Sequence, residues 1–518
     1  RRITKRRKKL FASLLLIICF NYSYSQDDIH VEFGSVFKNE KREIPVDIIG
    51  KDDNGYYLLY SEGKFGQGND MFLRKFNLDL TPSGQEINLK NETYEDQFNS
   101  LGLIKIKDKI THVFYLLNDE GKTFYHQSVD LKTFTLNEKK LITTIENDTK
   151  SAKNSLSKFM ISEDENTITL FYTIPNKNKE IVKVKVQTFD SDFNEITNTS
   201  YEFPYKNDIF SIYRIFLNKK NELFLLCKIY ESYKILSDEN NHRYEFQLFK
   251  IEQEKLSSIS TIKPDNVHLR TLNTTLLNDE ELALTGMYSK KDMYAMSGIF
   301  ACKINLESGN ILYSKYNKLS SDFFSKLMED GKKKEKAIDK FNQGKRDNQN
   351  FVLKQTIKLE NDELLVLAEQ AWSYSYNYAI TYYHHDIATI KLDKDGNIAW
   401  ANKIGKRNDK ANVSIYSSYL PVYKNDKVFL LYNCSTKNLN HHTGPLVNYF
   451  TDFDRAFLAT SVDLGNGNYK RQVLINNNQL DGITIRPFLY NWINENTLLM
   501  FGQDIDNLKN QRFVTIKF

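Results

Sequence analysis

Two stretches of this 518-residue chain concentrate side chains that can do chemistry. The first, "AWSYSYNYAITYYHHD" at 371–386, carries Trp372, Tyr374, Tyr376, Tyr378, Tyr382, Tyr383, His384, His385 and Asp386. The second, "CSTKNLNHHTGPLVNYFTDFDRA" at 434–456, carries His441, His442, Asp452 and Asp454. Aromatic residues at alternate positions put their rings on one side of a strand. Such a row can stack on sugar faces or anchor a protein interface. The plainer alternative is a long hairpin whose rings pack on the neighbouring element. Imidazoles and carboxylates from both stretches could surround a transition metal. Adjacent histidines on a strand point to opposite faces, however, and no HExxH-type spacing occurs. No metal site and no cofactor are therefore assigned.

No other constellation points to catalysis. There is no nucleophile elbow, no phosphate loop and no Cys-His pair in a supporting context. Acid pairs are plentiful among 66 carboxylates and decide nothing. One stretch, "LDKDGN" at 392–397, looks like the start of a calcium loop. Calcium needs oxygen ligands along a longer loop, ending in a bidentate acid. Here Asp393, Asp395 and Gly396 run straight into the apolar "IAW". Asp-Gly and Asn-Gly tolerate positive φ, so a hairpin is expected.

The elements that must position these residues form a repeat. An acidic or amide turn followed by a short apolar strand recurs as "NGYYLLYSE" (54–62), "KITHVFYLL" (109–117), "ENTITLFYT" (165–173) and "NELFLLCKI" (221–229). It continues as "EELALTGMY" (280–288), "DELLVLAEQ" (362–370), "DKVFLLYNC" (426–434) and "ENTLLMFGQ" (495–503). The early copies are about 55 residues apart, a period within the range of propeller blades. Each copy has an alternating strand before it and another after it. A Gly/Asn/Asp turn and a polar strand then follow in most, as in "IATIKLDKDGNIAWANKIG". Four strands per unit with period-2 patterning is the signature of a blade. An all-β propeller of eight four-stranded blades is expected, seven being the alternative. The last unit lacks its outer strand, and "HVEFGSVFK" at 30–38 resembles one, so an N-terminal strand should complete the last blade.

Residues 1–25 read separately, as a signal peptide: a basic "RRITKRRKK", an apolar "LFASLLLIICF" and a small-x-small end before Gln26. Ile18 before Cys19 stands where a lipoprotein signal wants a small residue, which argues against lipidation. No later segment is apolar enough to span a bilayer. Without the leader's seven basic residues the chain has 71 − 7 = 64 basic against 66 acidic, a net −2 in place of +5. That balance gives no nucleic-acid footprint. The remaining cysteines, Cys227, Cys302 and Cys434, are odd in number and lie in apolar runs, so buried free thiols are expected.

With the leader and the blade unit in hand, "IATIKLDKDGNIAWANKIGK" resembles the KLDxxGNxxWxKxxG repeat of exported β-propeller proteins of Bacteroidota. The resemblance is close at this blade and loose elsewhere, where Trp400 has no equivalent. It implies fold and export, and brings no catalytic residues.

With strands A to D running from the centre outward, the A–B and most C–D turns are short. Long B–C loops fall in blades 4, 6 and 7, and the longest D–A connection, 318–350, lies between blades 5 and 6. All map to one face. Phe323, Phe324, Leu327, Met328, Ile338 and Phe341 are spaced for short amphipathic helices, so 26–518 is expected to be one propeller with a helical insert. Function on rigid scaffolds concentrates in such loops. The expectation is a non-enzymatic exported scaffold, periplasmic or at the outer membrane, holding an envelope protein through this face. Its candidate contacts are Trp372, Tyr374, Tyr376, Tyr378, Tyr383, His384, His385, Asp386, His441 and His442. A glycan-binding or glycan-cleaving propeller is the alternative, and a metal-dependent hydrolase using the histidine loops the second.

Overall fold

The computed structural model describes residues 29–518 apart from 40–42, 63–69, 91–96, 120, 147–154, 176–179, 233–242, 253–254, 291–294, 377–378 and 441–442. The leader, Tyr378 and the pair His441–His442 therefore lie outside the described residues, as does most of the blade 4 B–C loop. The strands assemble into eight antiparallel blades, spanning 44–88, 97–146, 157–206, 210–262, 268–318, 351–404, 420–476 and 483–517. Eight apolar clusters account for the ring, one between each pair of adjacent blades, including blades 8 and 1. This excludes seven blades. The B strands are the most apolar because both faces are covered; all of Gly55–Ser61 is buried, and so is nearly all of Lys427–Ser435.

Closure is by the N-terminal strand. His30–Phe33 pairs antiparallel with the last C strand, Asn510–Lys517, in the register Val31 to Ile516 and Phe33 to Val514. Lys517 Nζ lies 2.7 Å from Glu32 Oε1 across the seam. Phe37–Lys38 extends the pairing, so the last C strand is not left as a bare edge.

The "DKDGN" stretch is the C–D hairpin of blade 6. Asp393 Oδ1 accepts the backbone N–H groups of Asp395 and Asn397, and Gly396 has φ 79°. The carboxylate thus caps a tight turn, as a hairpin requires. Asp130, Asp190, Asn305 and Asp463 do the same in blades 2, 3, 5 and 7. These turns also join blades. A Cβ on Gly467 of blade 7 would collide with Trp400 Cε3 of blade 6. Asn402 Nδ2 donates to the Gly467 carbonyl at 2.7 Å, and Trp400 Nε1 to the Leu464 carbonyl at 3.0 Å. Gly396 makes the equivalent approach to Tyr313 of blade 5, with Asn317 bonded to its carbonyl.

Between blades 5 and 6 the chain forms two helices, Ser321–Ser325 and Lys332–Asn342. Ser320 caps the first by accepting from Phe323 N–H. Phe324 and Phe341 stack between the helices at 4.6 Å, and Lys403 Nζ of blade 6 donates to the Phe324 carbonyl at 2.7 Å. Lys332, Lys333, Lys336 and Lys340 stay exposed as a solvated face. Cys227, Cys302 and Cys434 are buried free thiols. Among the described residues no helix is long and apolar enough to cross a membrane.

Candidate functional site

Blade 6 carries the longest strands of the ring, Leu364–Tyr376 and Ala379–Leu392. The A strand beside them, Phe351–Lys358, reaches only to Gln370. Past that point the B and C strands leave the blade and are joined by Asn408–Ala411, which pairs with Thr381 to His384. The result is a three-stranded sheet standing above the face. Asn448 of the blade 7 loop binds its outer strand, accepting from Asp409 N–H and donating to its carbonyl.

A bulge sits where the sheet emerges. Glu369 pairs with Ile387 but Ala371 with His384, leaving Gln370 facing His385 and Asp386. Above the bulge the register places Trp372, Tyr374, Tyr376 and Tyr383 on one face. Trp372 stacks parallel on Tyr383 at 4.8 Å and meets His385 edge-on at 4.7 Å. Tyr374 and Tyr376 are 59% and 66% exposed. The alternation seen in the sequence thus does put the rings on one side, and two of them face solvent.

The two histidines diverge, as adjacent residues on a strand should. His385 Nε2 lies 2.5 Å from Asp409 Oδ1, whose other oxygen accepts from Arg407 Nε at 2.8 Å. Burial works to raise the Asp409 pKa, but these two partners outweigh it and hold it low. His384 turns inward, with Nδ1 3.0 Å from Glu369 Oε2. Glu369 is fully buried and gathers Lys406 Nζ at 2.9 Å, Lys354 Nζ at 3.1 Å and Ser418 Oγ at 2.6 Å. Burial alone would raise its pKa; the surrounding cations and the His384 hydrogen bond reverse that, so it stays ionised far below the usual range. Lys406 is also 0% exposed, and burial depresses its pKa despite the carboxylate.

Asp386 lines a cleft of about 240 Å³ with His385, Lys406, Arg407, Gly444 and Leu446. The insert forms one wall, through Leu327, whose carbonyl accepts Gly444 N–H at 3.0 Å. Burial raises the Asp386 pKa, only partly offset by Lys403, His385 and Lys406. The second stretch joins this centre through 443–450 and through Cys434, which lies within electrostatic reach of Lys406. Asp452 is taken by Lys437 Nζ at 2.6 Å and by Ser435, and Asp454 lies 3.5 Å from Lys437. Among the described residues no three His, Cys, Asp or Glu converge as metal ligands would.

Sequence reasoning missed Glu369, Lys354, Lys406, Arg407, Asp409 and Ser418. One signal was available: Glu369 ends "LLVLAEQ", an acid inside a strand apolar enough to be covered on both faces, where a charge demands counter-charges.

No family model matches the chain, and no curated protein does. Among solved structures it is similar to the Dos1 propeller, with 10% identity, 93% of this chain and 94% of that one covered, and a TM-score of 0.43. It is similar to the polysaccharide lyase Uly1 at 8% identity, covering 91% and 89%, TM-score 0.39. The WD40 domain of SCAP from fission yeast gives 8% identity, 94% and 98% coverage, and 0.38. Likenesses this remote carry no argument about what this chain does.

Proposed function

We propose that this protein is a non-enzymatic, exported binding or scaffold propeller that holds a protein partner of the cell envelope on the face of blades 6 and 7. The observation that carries this is the three-stranded extension, which presents Tyr374 and Tyr376 to solvent on a braced sheet. Exposed tyrosines on a rigid support are what interface hot spots are made of. Phe453, 88% exposed on the blade 7 loop, is a further apolar side chain open to solvent. The basic-then-apolar leader and the repeat resemblance support export. Trp372 has one ring face on Tyr383 and a T-shaped contact with His385 at 4.7 Å. It is therefore less available as a sugar platform than the sequence suggests, which favours a protein partner over a glycan.

The test is co-purification from native envelope extract with the wild-type chain and with the Tyr374→Ala/Tyr376→Ala double variant. Both side chains are exposed, so the melting temperature should hold. Loss of the same bound proteins supports the proposal. An unchanged set overturns it, as does retention of a polysaccharide, with no protein, that Trp372→Ala abolishes.

A further inference from the structure

Where the last blade meets the first, one buried charge has no counterpart. Arg486 lies on the A strand of blade 8, Ile483–Asn494, and is only 7% exposed. The strand is irregular there: Ile485 pairs with Gly502 and Tyr490 with Met500, so residues 486–489 stand opposite Phe501. Such a bulge re-aims side chains. The guanidinium reaches across the ring closure, where Nη1 donates to the Pro45 carbonyl on the A strand of blade 1. Nε is buried and has no partner. Among the described residues Arg486 forms no ion pair; Glu43, two residues before Pro45, is buried against Arg74 instead. Burial lowers the Arg486 pKa to about 10, with Tyr416 and Tyr60 opposing, so the side chain keeps its proton at neutral pH. Burial raises the pKa of both phenols, so they stay neutral. Their hydroxyls are spent on Gln511 Oε1 at 3.0 Å and Gln503 Oε1 at 3.3 Å. Lys122 shows the contrast. It too is buried without an ion pair, but burial pushes its ammonium down to about 8, where it can shed the proton. A second orphaned group comes from the linker before blade 7. Asn433 Nδ2 donates to the carbonyls of Tyr416 at 2.9 Å and Ile485 at 2.8 Å, tying that linker to the strand of Arg486. Ser417, the next residue of the linker, is 0% exposed and its hydroxyl has no partner.

We propose that Arg486 holds a halide ion at the closure of the ring. A buried charge needs a counter-charge, and a guanidinium cannot discard its proton. A water molecule would satisfy the Nε hydrogen bond but leave the charge unanswered. An anion answers both, through a charge-assisted hydrogen bond. Arg486 is almost wholly enclosed, which favours a monatomic ion over phosphate or sulfate. Because the side chain spans blades 8 and 1, an ion bound to it belongs to the closed ring and not to the unfolded chain. Binding of that kind raises stability with ligand concentration. The site does not depend on the envelope-partner proposal and can fail independently of it.

The experiment compares thermal unfolding in sodium chloride and in sodium gluconate at equal ionic strength, gluconate being too large for an enclosed site. The wild-type melting temperature should rise with chloride and lag behind in gluconate. Arg486→Met keeps most of the side-chain volume without the charge and should lose that difference. Crystals soaked in bromide should show an anomalous peak within hydrogen-bonding reach of Arg486 Nε, a readout that stands even where the variant fails to fold. Equal wild-type melting temperatures in the two salts overturn the proposal. So does a chloride effect that Arg486→Met retains, since that is a general salt effect. Density beside Nε without anomalous signal identifies a water and overturns it too. A bromide peak with no effect in solution is binding at crystal concentration only, and counts the same way.

Discussion

Replacing Glu369 by Ala tests the most consequential contact around the site. The carboxylate is wholly buried and faces Lys406 Nζ at 2.9 Å, Lys354 Nζ at 3.1 Å and His384 Nδ1 at 3.0 Å. Removing it strands the Lys406 ammonium, itself 0% exposed, without a counter-charge. Breaking a buried pair from one side costs about 3–5 kcal/mol, a large share of the roughly 5–15 kcal/mol that holds a domain folded. Unfolding in urea, followed by tryptophan fluorescence, should show a midpoint that falls while the slope stays the same. The Glu369→Ala/Lys406→Met double variant removes both charges and should recover about 1–3 kcal/mol of that loss, since neighbouring sites are not additive. The acid limb follows from the same contact. The folded-state pKa of Glu369 is depressed, so its contribution is present above the unfolded carboxylate value and is lost as pH falls through the folded one. Below about pH 4 the wild type should therefore lose part of its advantage over Glu369→Ala. A loss under about 1 kcal/mol, or a double variant as unstable as the sum of the singles, would refute the account of a tightly paired buried cluster.

Two further outcomes are expected. Gly467→Ala forces a Cβ into Trp400 at a residue with φ 75°, whereas at Gly84, with φ 80°, an added Cβ would meet nothing within 4 Å. Gly84→Ala should thus cost only the left-handed backbone term of about 1–2 kcal/mol, and Gly467→Ala clearly more; equal melting temperatures would show that the blade junction yields. His112 in blade 2 is buried, with burial pushing its pKa down to about 3. The unfolded chain takes up that proton first, so stability should fall as pH drops from about 6.5 toward 3. His112→Gln should flatten that limb in pH-dependent unfolding, and an unchanged slope would count against a neutral buried imidazole.

The fold was legible because its rules are local. Eight turn-plus-apolar-strand units follow from alternation and from Gly, Asn and Asp at positions that need them. The missing outer strand of the last unit announced the closure that Val31 and Phe33 make against Ile516 and Val514. The "DKDGN" acids were correctly assigned to a hairpin, but their second duty was hidden. That Gly467 must be bare because Trp400 of another blade lies on it depends on how blades are rotated together. The aromatic row at 372, 374 and 376 was equally readable, since period 2 settles which rings share a face.

The amino-acid sequence by itself therefore determined the four-stranded blade unit and the side on which the blade 6 rings lie, and it favoured eight blades over seven. All of these depend on contacts within a few residues or on the count of a repeat. Only the tertiary structure decided what surrounds those rings. Lys354, Glu369, His384, Lys406 and Ser418 come from separate strands and linkers, and no local pattern predicts that they meet. The bulge at Gln370 sends His384 inward and His385 outward, and the early end of the A strand leaves an edge bare above it. Those features arise from register and strand length in three dimensions, where one residue of slip exchanges the faces of a strand.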